Sequence, residues 1–397
     1  MEHVIPAQAQ ETAYPDPSGE KQCSADDIND SNAVVGSCIP ANATNPSVAW
    51  YAATRGTTPT LLQPLATGQD CNADALADQG TIVGSCTDAN NRSFGVIWNT
   101  PTSAPVKLAP LPILSGLNLA PDVATGATGY NLSGDVVGES ASGSGVATAV
   151  LWPAMTGTPI IVSSYGDNCS AVDVNGTNEG PSGAGHPSVA LNCPTSTGLV
   201  QGKLAQYTAG LLGYAYTATT LPLPTGATHC TVAALNDALQ AVGTCHFPAP
   251  DHPQTAYWPS PTSTPNLLTV SGNARNGADF INAPGNVVFE YQTTSGDSSA
   301  GFWIPTSNTV TLIPPLPGGV RTVAEGLGDN GTVTLTSEDS NENWEGAKWT
   351  TATGTVALGF ENSGVDSSVV GSNQAGTAAA TDGEDSSQND TAGESSL

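Results

Sequence analysis

The chain has 397 residues, with 8 Lys and Arg against 35 Asp and Glu, and only 11% of its positions are charged. A net charge of −27 on so few charges reflects missing cations, which excludes the clustered basic surfaces that nucleic acid and anionic membranes require. No apolar run approaches the ~18 residues of a membrane span, so the expected partners are protein or neutral glycan, with no nucleic acid and no membrane insertion.

In chain order, residues 1–22 read as an N-terminal extension that contributes to closing a ring. They include Ala7-Gln8-Ala9, the small-x-small pattern of a signal cleavage site, with no apolar segment before it and hence no complete signal peptide. From Cys23 onward the chain repeats itself. The stretch 23–38, CSADDINDSNAVVGSC, superposes on 71–86 and 230–245 at equal length, and on 126–140, 276–290 and 322–336 without the cysteines. Residues 169–183 match its first half. One column of this superposition reads Ala25, Ala73, Ala127, Ala171, Val232, Ala278 and Ala324. Trp50, Trp98, Trp152, Trp303 and Trp349 each follow their repeat's first position by 27 residues, and Trp258 follows Cys230 by 28. The fourth repeat has no such Trp, and the gap before the fifth is longer.

Each unit reads as four strands: an Ala-x-x-Ile segment, an Asn/Asp/Gly turn that tolerates φ > 0, a Val-Val-Gly segment, a strand ending in Trp and a Leu-bearing strand. Four strands per unit at this period predict an all-β fold, a seven-bladed β-propeller of four-stranded antiparallel blades with intra-hairpin disulfides. Its repeats start near 23, 71, 125, 169, 230, 276 and 322, and it spans 23–372. The Ala column suits converging inner strands, and the tryptophans suit the space between blades. Residues 363–372 resemble one more Val-Val-Gly strand, able to close the ring or to begin an eighth unit. Residues 373–397 hold no aromatic and no cation, so a disordered acidic tail is expected.

The segments "IND-x-x-x-VVG" at 28–36, "TAVLW" at 148–152, "QTAYW" at 254–258 and "SAGFW" at 299–303 carry a resemblance. They are similar to the HAF-type extracellular repeat family, whose units pair an Asn-rich hairpin ending in Val-Val-Gly with a His-Ala-Phe-Leu-Trp strand. The resemblance covers about residues 23–360 and implies a repeat architecture, with no activity attached. The His of the triplet is absent from every repeat here, so no role of that His carries over.

Cys23/Cys38, Cys71/Cys86 and Cys230/Cys245 share one spacing and fall opposite each other in a hairpin turning at its midpoint, within disulfide reach. Where one partner of the column is missing the other is too, as in Thr125/Ser140 and Thr322/Ser337. Cys169 and Cys193 make the fourth expected pair. Four staples imply an oxidising compartment: secreted, cell surface or virion surface. The rival is a Cys2His2 metal set from His229, Cys230, Cys245 and His246, without Cys-x-x-Cys spacing to support it.

Asp26, Asp74, Asp279 and Glu325 occupy one column, a candidate acidic ring or cation site; the alternative is that such acids serve turns and caps. The stretches 26–30 and 173–180 echo oxygen-rich calcium loops without a complete ligand spacing, so calcium is the one candidate cofactor and the metal stays unassigned. No Gly-x-Ser-x-Gly elbow or His-Glu-x-x-His is present, and no catalytic residue is assigned. The expected function is a non-catalytic extracytoplasmic binding or scaffold protein, free or a subunit of a surface or virion assembly. The alternatives are a glycan-active hydrolase or lyase using propeller carboxylates, and a calcium-stabilised adhesin.

Overall fold

A computed structural model describes residues 12–15, 17, 22–40, 46–112, 121–131, 133–153, 158–176, 186–210, 213–248, 252–270, 276–359, 366–384 and 390–397. Among the described residues the sheet-forming elements are strands, which form eight four-stranded antiparallel sheets, the blades of a β-propeller. Seven follow the repeats, at 22–61, 71–107, 124–161, 170–220, 229–268, 276–313 and 322–357. The eighth joins Ser367–Ser372, Ala378–Glu384 and Asp390–Ser396 to the N-terminal strand Thr12–Ala13.

The count of seven is therefore corrected to eight, and the expected disordered tail supplies two strands of the last blade. Composition misled because it weighs only local area. Ala378, Ala380 and Ala392 bury themselves against Trp50 and Tyr14, aromatics lent by the other end of the chain. The expected N-terminal extension, residues 1–22, lies mostly outside the described residues, but Thr12–Ala13 do pair with Gly393 and Glu394.

The chain groups into two compact units, residues 1–62, 72–76 and 286–397, and residues 63–71 and 77–285. The first contains the whole first, seventh and eighth sheets; the second contains the third, fourth and fifth.

The repeat columns explain the packing. In six sheets the first strand carries a β-bulge just after the small-residue column, at Ala25/Asp27, Ala127/Gly129, Ala171/Asp173, Val232/Ala234, Ala324/Gly326 and Val369/Gly371. The Gly of Val-Val-Gly lies across from it because nothing larger fits. A Cβ on Gly36, Gly138 or Gly243 would collide with the carbonyl oxygen of Ser24, Gly126 or Thr231.

At five blade junctions the backbone N–H at the small-residue position donates to a polar side chain on the second strand of the preceding blade. In the first unit Ala73 N donates to Ser37 Oγ (3.2 Å), Val369 N to Thr336 Oγ1 (3.1 Å) and Ala25 N to Asp382 Oδ1 (2.7 Å), while Glu290 accepts from Ala324. In the second unit Val232 N donates to Asn192 Oδ1 at 2.9 Å. The Asp382–Ala25 bond ties the eighth blade to the first through the same device as its neighbours.

Trp50, Trp98, Trp152, Trp258 and Trp303 are fully buried, as core positions require. Trp98, Trp152 and Trp258 donate Nε1–H to the carbonyls of Gln63, Ala109 and Pro222, at 2.8–2.9 Å, each lying shortly after a preceding blade's fourth strand. Disulfides join Cys23–Cys38, Cys71–Cys86, Cys169–Cys193 and Cys230–Cys245, with Cα atoms 4.0–4.2 Å apart.

Candidate functional site

Two of the four column acids, Asp26 and Glu325, are the residues skipped at a bulge. Asp26, Asp74 and Glu325 lie in the first unit and Asp279 in the second. Asp26 Oδ2 accepts from Ser37 Oγ at 2.9 Å, and Ser37 Oγ in turn accepts from Ala73 N. Glu325 is hydrogen-bonded in the same way by Thr336, which accepts from Val369 N. In both places the acid accepts a hydrogen bond from the hydroxyl that clamps the next blade.

Burial pushes the Asp26 carboxyl up to about 7, opposed by the Ser37 bond and helped by the Asp74 charge. Burial likewise lifts Glu325 to about 7, with Glu290 as its acidic neighbour. The electrostatic pairs are thus Asp26 with Asp74, and Glu325 with Glu290, a residue outside the predicted column.

Among the described residues of the two calcium-like stretches, Asp27, Asn29, Asp30 and Asp173 spend side-chain oxygens on N–H groups. Asp27 accepts from Ile28 N (2.8 Å) and Leu76 N (2.7 Å), Asn29 Oδ1 from Ser31 N and Ala33 N, and Asp30 from Ala375 N. Asp173 repeats the Asp27 pattern with Val174 N and Leu235 N, and burial lifts it to about 7. Residues 177–180 of the second stretch lie outside the described residues. The Cys2His2 alternative fails because Cys230 and Cys245 are bonded to each other. His229 and His246 face each other in register, with parallel rings 4.5 Å apart.

A cleft of about 330 Å³ opens in the first unit where the seventh and eighth blades meet. Trp344, Asp366, Ser368, Asp382, Ser367 and Thr336 line it, with Gly383. Trp344 begins the third strand of the seventh blade, opposite Glu338. It is the one tryptophan outside the repeat column and is only partly buried. Its backbone N–H donates to Asp366 Oδ1 at 2.8 Å, and Ser367 Oγ accepts from Gly346 N at 3.0 Å. The Arg321 guanidinium sits 5.2 Å from the indole centroid and is fixed by a 2.7 Å ion pair to Glu338, whose side chain is 2% exposed. The indole is held from its backbone and from one side, a geometry that costs a ligand little to use.

The repeat columns do not mark this site, because Trp344 stands outside all of them. The available signal was the seventh tryptophan, the one that six aligned partners leave unexplained. Asp366 and Asp382 gave no such signal, since their meeting with Trp344 depends on the eighth blade.

No protein-family model matches the chain, and no curated protein matches it. Among solved structures it is similar to a prolyl endopeptidase, at TM-score 0.55 and 10% identity over 85% of this chain and 49% of that one. It is also similar to prolyl oligopeptidase B from Galerina marginata, at TM-score 0.52 and 11% identity over 86% of this chain and 51% of that one. The chain spans about half the length of these two solved structures. At these identities the likeness concerns the fold alone, the β-propeller.

Proposed function

We propose that this chain is a non-catalytic, extracytoplasmic β-propeller that binds or scaffolds a partner. The observation that supports this reading is where the acids spend their oxygens. Asp27, Asp173 and Asp382 accept backbone N–H groups across blade junctions, and Asp26 accepts a hydrogen bond from a clamping hydroxyl. Carboxylates bound in this way assemble blades, and a general acid or base needs a proton within reach of substrate instead. Four disulfides suit an oxidising compartment, and the HAF-type resemblance points the same way.

The reading is tested on the purified chain with neutral oligosaccharides and proline-containing peptides as substrates, alongside Asp26→Asn and Glu325→Gln. The expected outcome is intact substrate, with both variants changing only thermal unfolding. Product release that disappears in either variant overturns the non-catalytic reading. Thiol titration of denatured, unreduced native material is expected to find no free thiol, and several reactive thiols would overturn the extracytoplasmic assignment.

A further inference from the structure

We propose that the Trp344 cleft binds a neutral pyranose unit of a glycan, with the indole face as the stacking platform. The proposal deepens the binding reading above and rests on it. The cleft's volume of about 330 Å³ lies at the small end of ligand pockets, which run from about 300 to 1,000 Å³. That is room for one sugar ring and part of a second.

Its chemistry is selective. Asp366 and Asp382 line it on a chain of net charge −27, so an anionic ligand is repelled. A cation would find the indole already serving Arg321, whose guanidinium lies over that ring. An uncharged polyol meets neither obstacle. The C–H face of a pyranose covers the indole's apolar surface, and its hydroxyls donate to carboxylate oxygens and exchange hydrogen bonds with Ser368.

The wall is also built rather than incidental. Asp366 fixes the Trp344 backbone by one oxygen, Oδ1, and its Oδ2 is the atom a sugar hydroxyl would meet. Asp382 is anchored on Ala25 N. Arg321 and Glu338 hold the indole from outside the cleft. The other six tryptophans are 0–3% exposed and bury their rings in the core. Trp344 therefore has no part in the repeated packing, and its removal leaves that packing intact.

The test uses the full chain and calorimetric titration with neutral hexasaccharides of glucose, mannose and galactose, together with choline and inorganic phosphate. Saturable binding of at least one hexasaccharide is expected, with quenching of tryptophan emission. Trp344→Ala should weaken that binding about tenfold or more, as truncation of an aromatic anchor does. Trp344→Phe should restore part of it, and Asp366→Asn should weaken it several-fold, with circular dichroism unchanged in all three.

Hexasaccharide binding indifferent to Trp344→Ala would overturn the cleft assignment and leave the binding reading standing. Binding of choline or phosphate in place of any hexasaccharide, or of nothing in the panel, would overturn the ligand class. Cleavage of a hexasaccharide that depends on Trp344 would keep the site and overturn the non-catalytic reading instead.

Discussion

The fourth and eighth blades both lack the column tryptophan, and they replace it in opposite ways. In the fourth, Val189 pairs with Ala205 where Val136 of the third blade pairs with Trp152. The missing volume is met locally. The outer hairpin lengthens to Val200–Gly210 and Gly213–Thr220, and Tyr216 packs on the core that includes Ala205. Tyr216 donates to Pro187 O at 2.8 Å, and His186 stacks on Tyr207 at 3.6 Å. A disulfide, Cys169–Cys193, holds the inner hairpin.

The eighth blade has no cysteine and no aromatic in its three C-terminal strands. It fills its junction with alanines and borrows Trp50 and Tyr14. Tyr14 donates to Glu394 at 2.8 Å across 380 residues of chain. One blade is thus closed by its own contiguous sequence, the other by contacts that form only when both ends meet. Local contacts pay loop-closure entropy once, while end-to-end contacts require the intervening blades to be ordered first.

This difference can be broken at three points. The largest effect should come from ending the chain at residue 372, which removes Ala378–Glu384, Asp390–Ser396 and the Asp382 bond to Ala25. The midpoint of thermal unfolding should fall by more than about 10 °C, or the transition should lose cooperativity, since a blade junction of buried side chains opens to water. A truncated chain as stable as the full one would mean that the eighth blade closes nothing.

Next in size is the double change Cys169→Ala with Cys193→Ala, whose bond spans 24 residues. Urea unfolding should report a loss of about 3–4 kcal/mol from loop entropy released into the unfolded chain. A loss below about 1 kcal/mol would show that the long tyrosine-bearing hairpin alone holds the fourth blade.

The smallest effect is a pH dependence reached through Asp26, in the blade that meets the eighth. Its carboxyl titrates near 7 when folded and near 3.9 when unfolded, so the folded chain holds the extra proton between those values. Stability is therefore full below about pH 4 and declines as pH rises through about 7, a trend shared by Asp173 in the fourth blade. Thermal midpoints should be several degrees higher at pH 5 than at pH 8, and Asp26→Asn should flatten part of that slope. A midpoint that rises toward pH 8 in the unaltered chain would contradict the raised carboxyls.

Much of the fold was legible because the determinants repeat. The Trp column, the Val-Val-Gly segment and three of the four cysteine pairs recur with nearly constant spacing, and each corresponds to a packing rule: ring between blades, close approach at the bulge, neighbours across a hairpin. The acid column was legible as a column but not as a role. Its partners, Ser37 and Thr336, lie eleven residues on, and the backbone they clamp belongs to the next blade. The cleft was illegible, because Trp344 and Asp366 belong to no column and Asp382 joins the clamp column only once the eighth blade has formed.

By itself, then, the sequence determined strand count per unit, the staples and the buried aromatic of most blades, since these depend on spacings within one repeat. Only the tertiary structure decided that there are eight blades, that an alanine-rich acidic tail is ordered, and that one odd tryptophan meets two aspartates. Those outcomes depend on area and hydrogen bonds exchanged between distant segments, and composition read along the chain does not register what a strand will borrow from a neighbour.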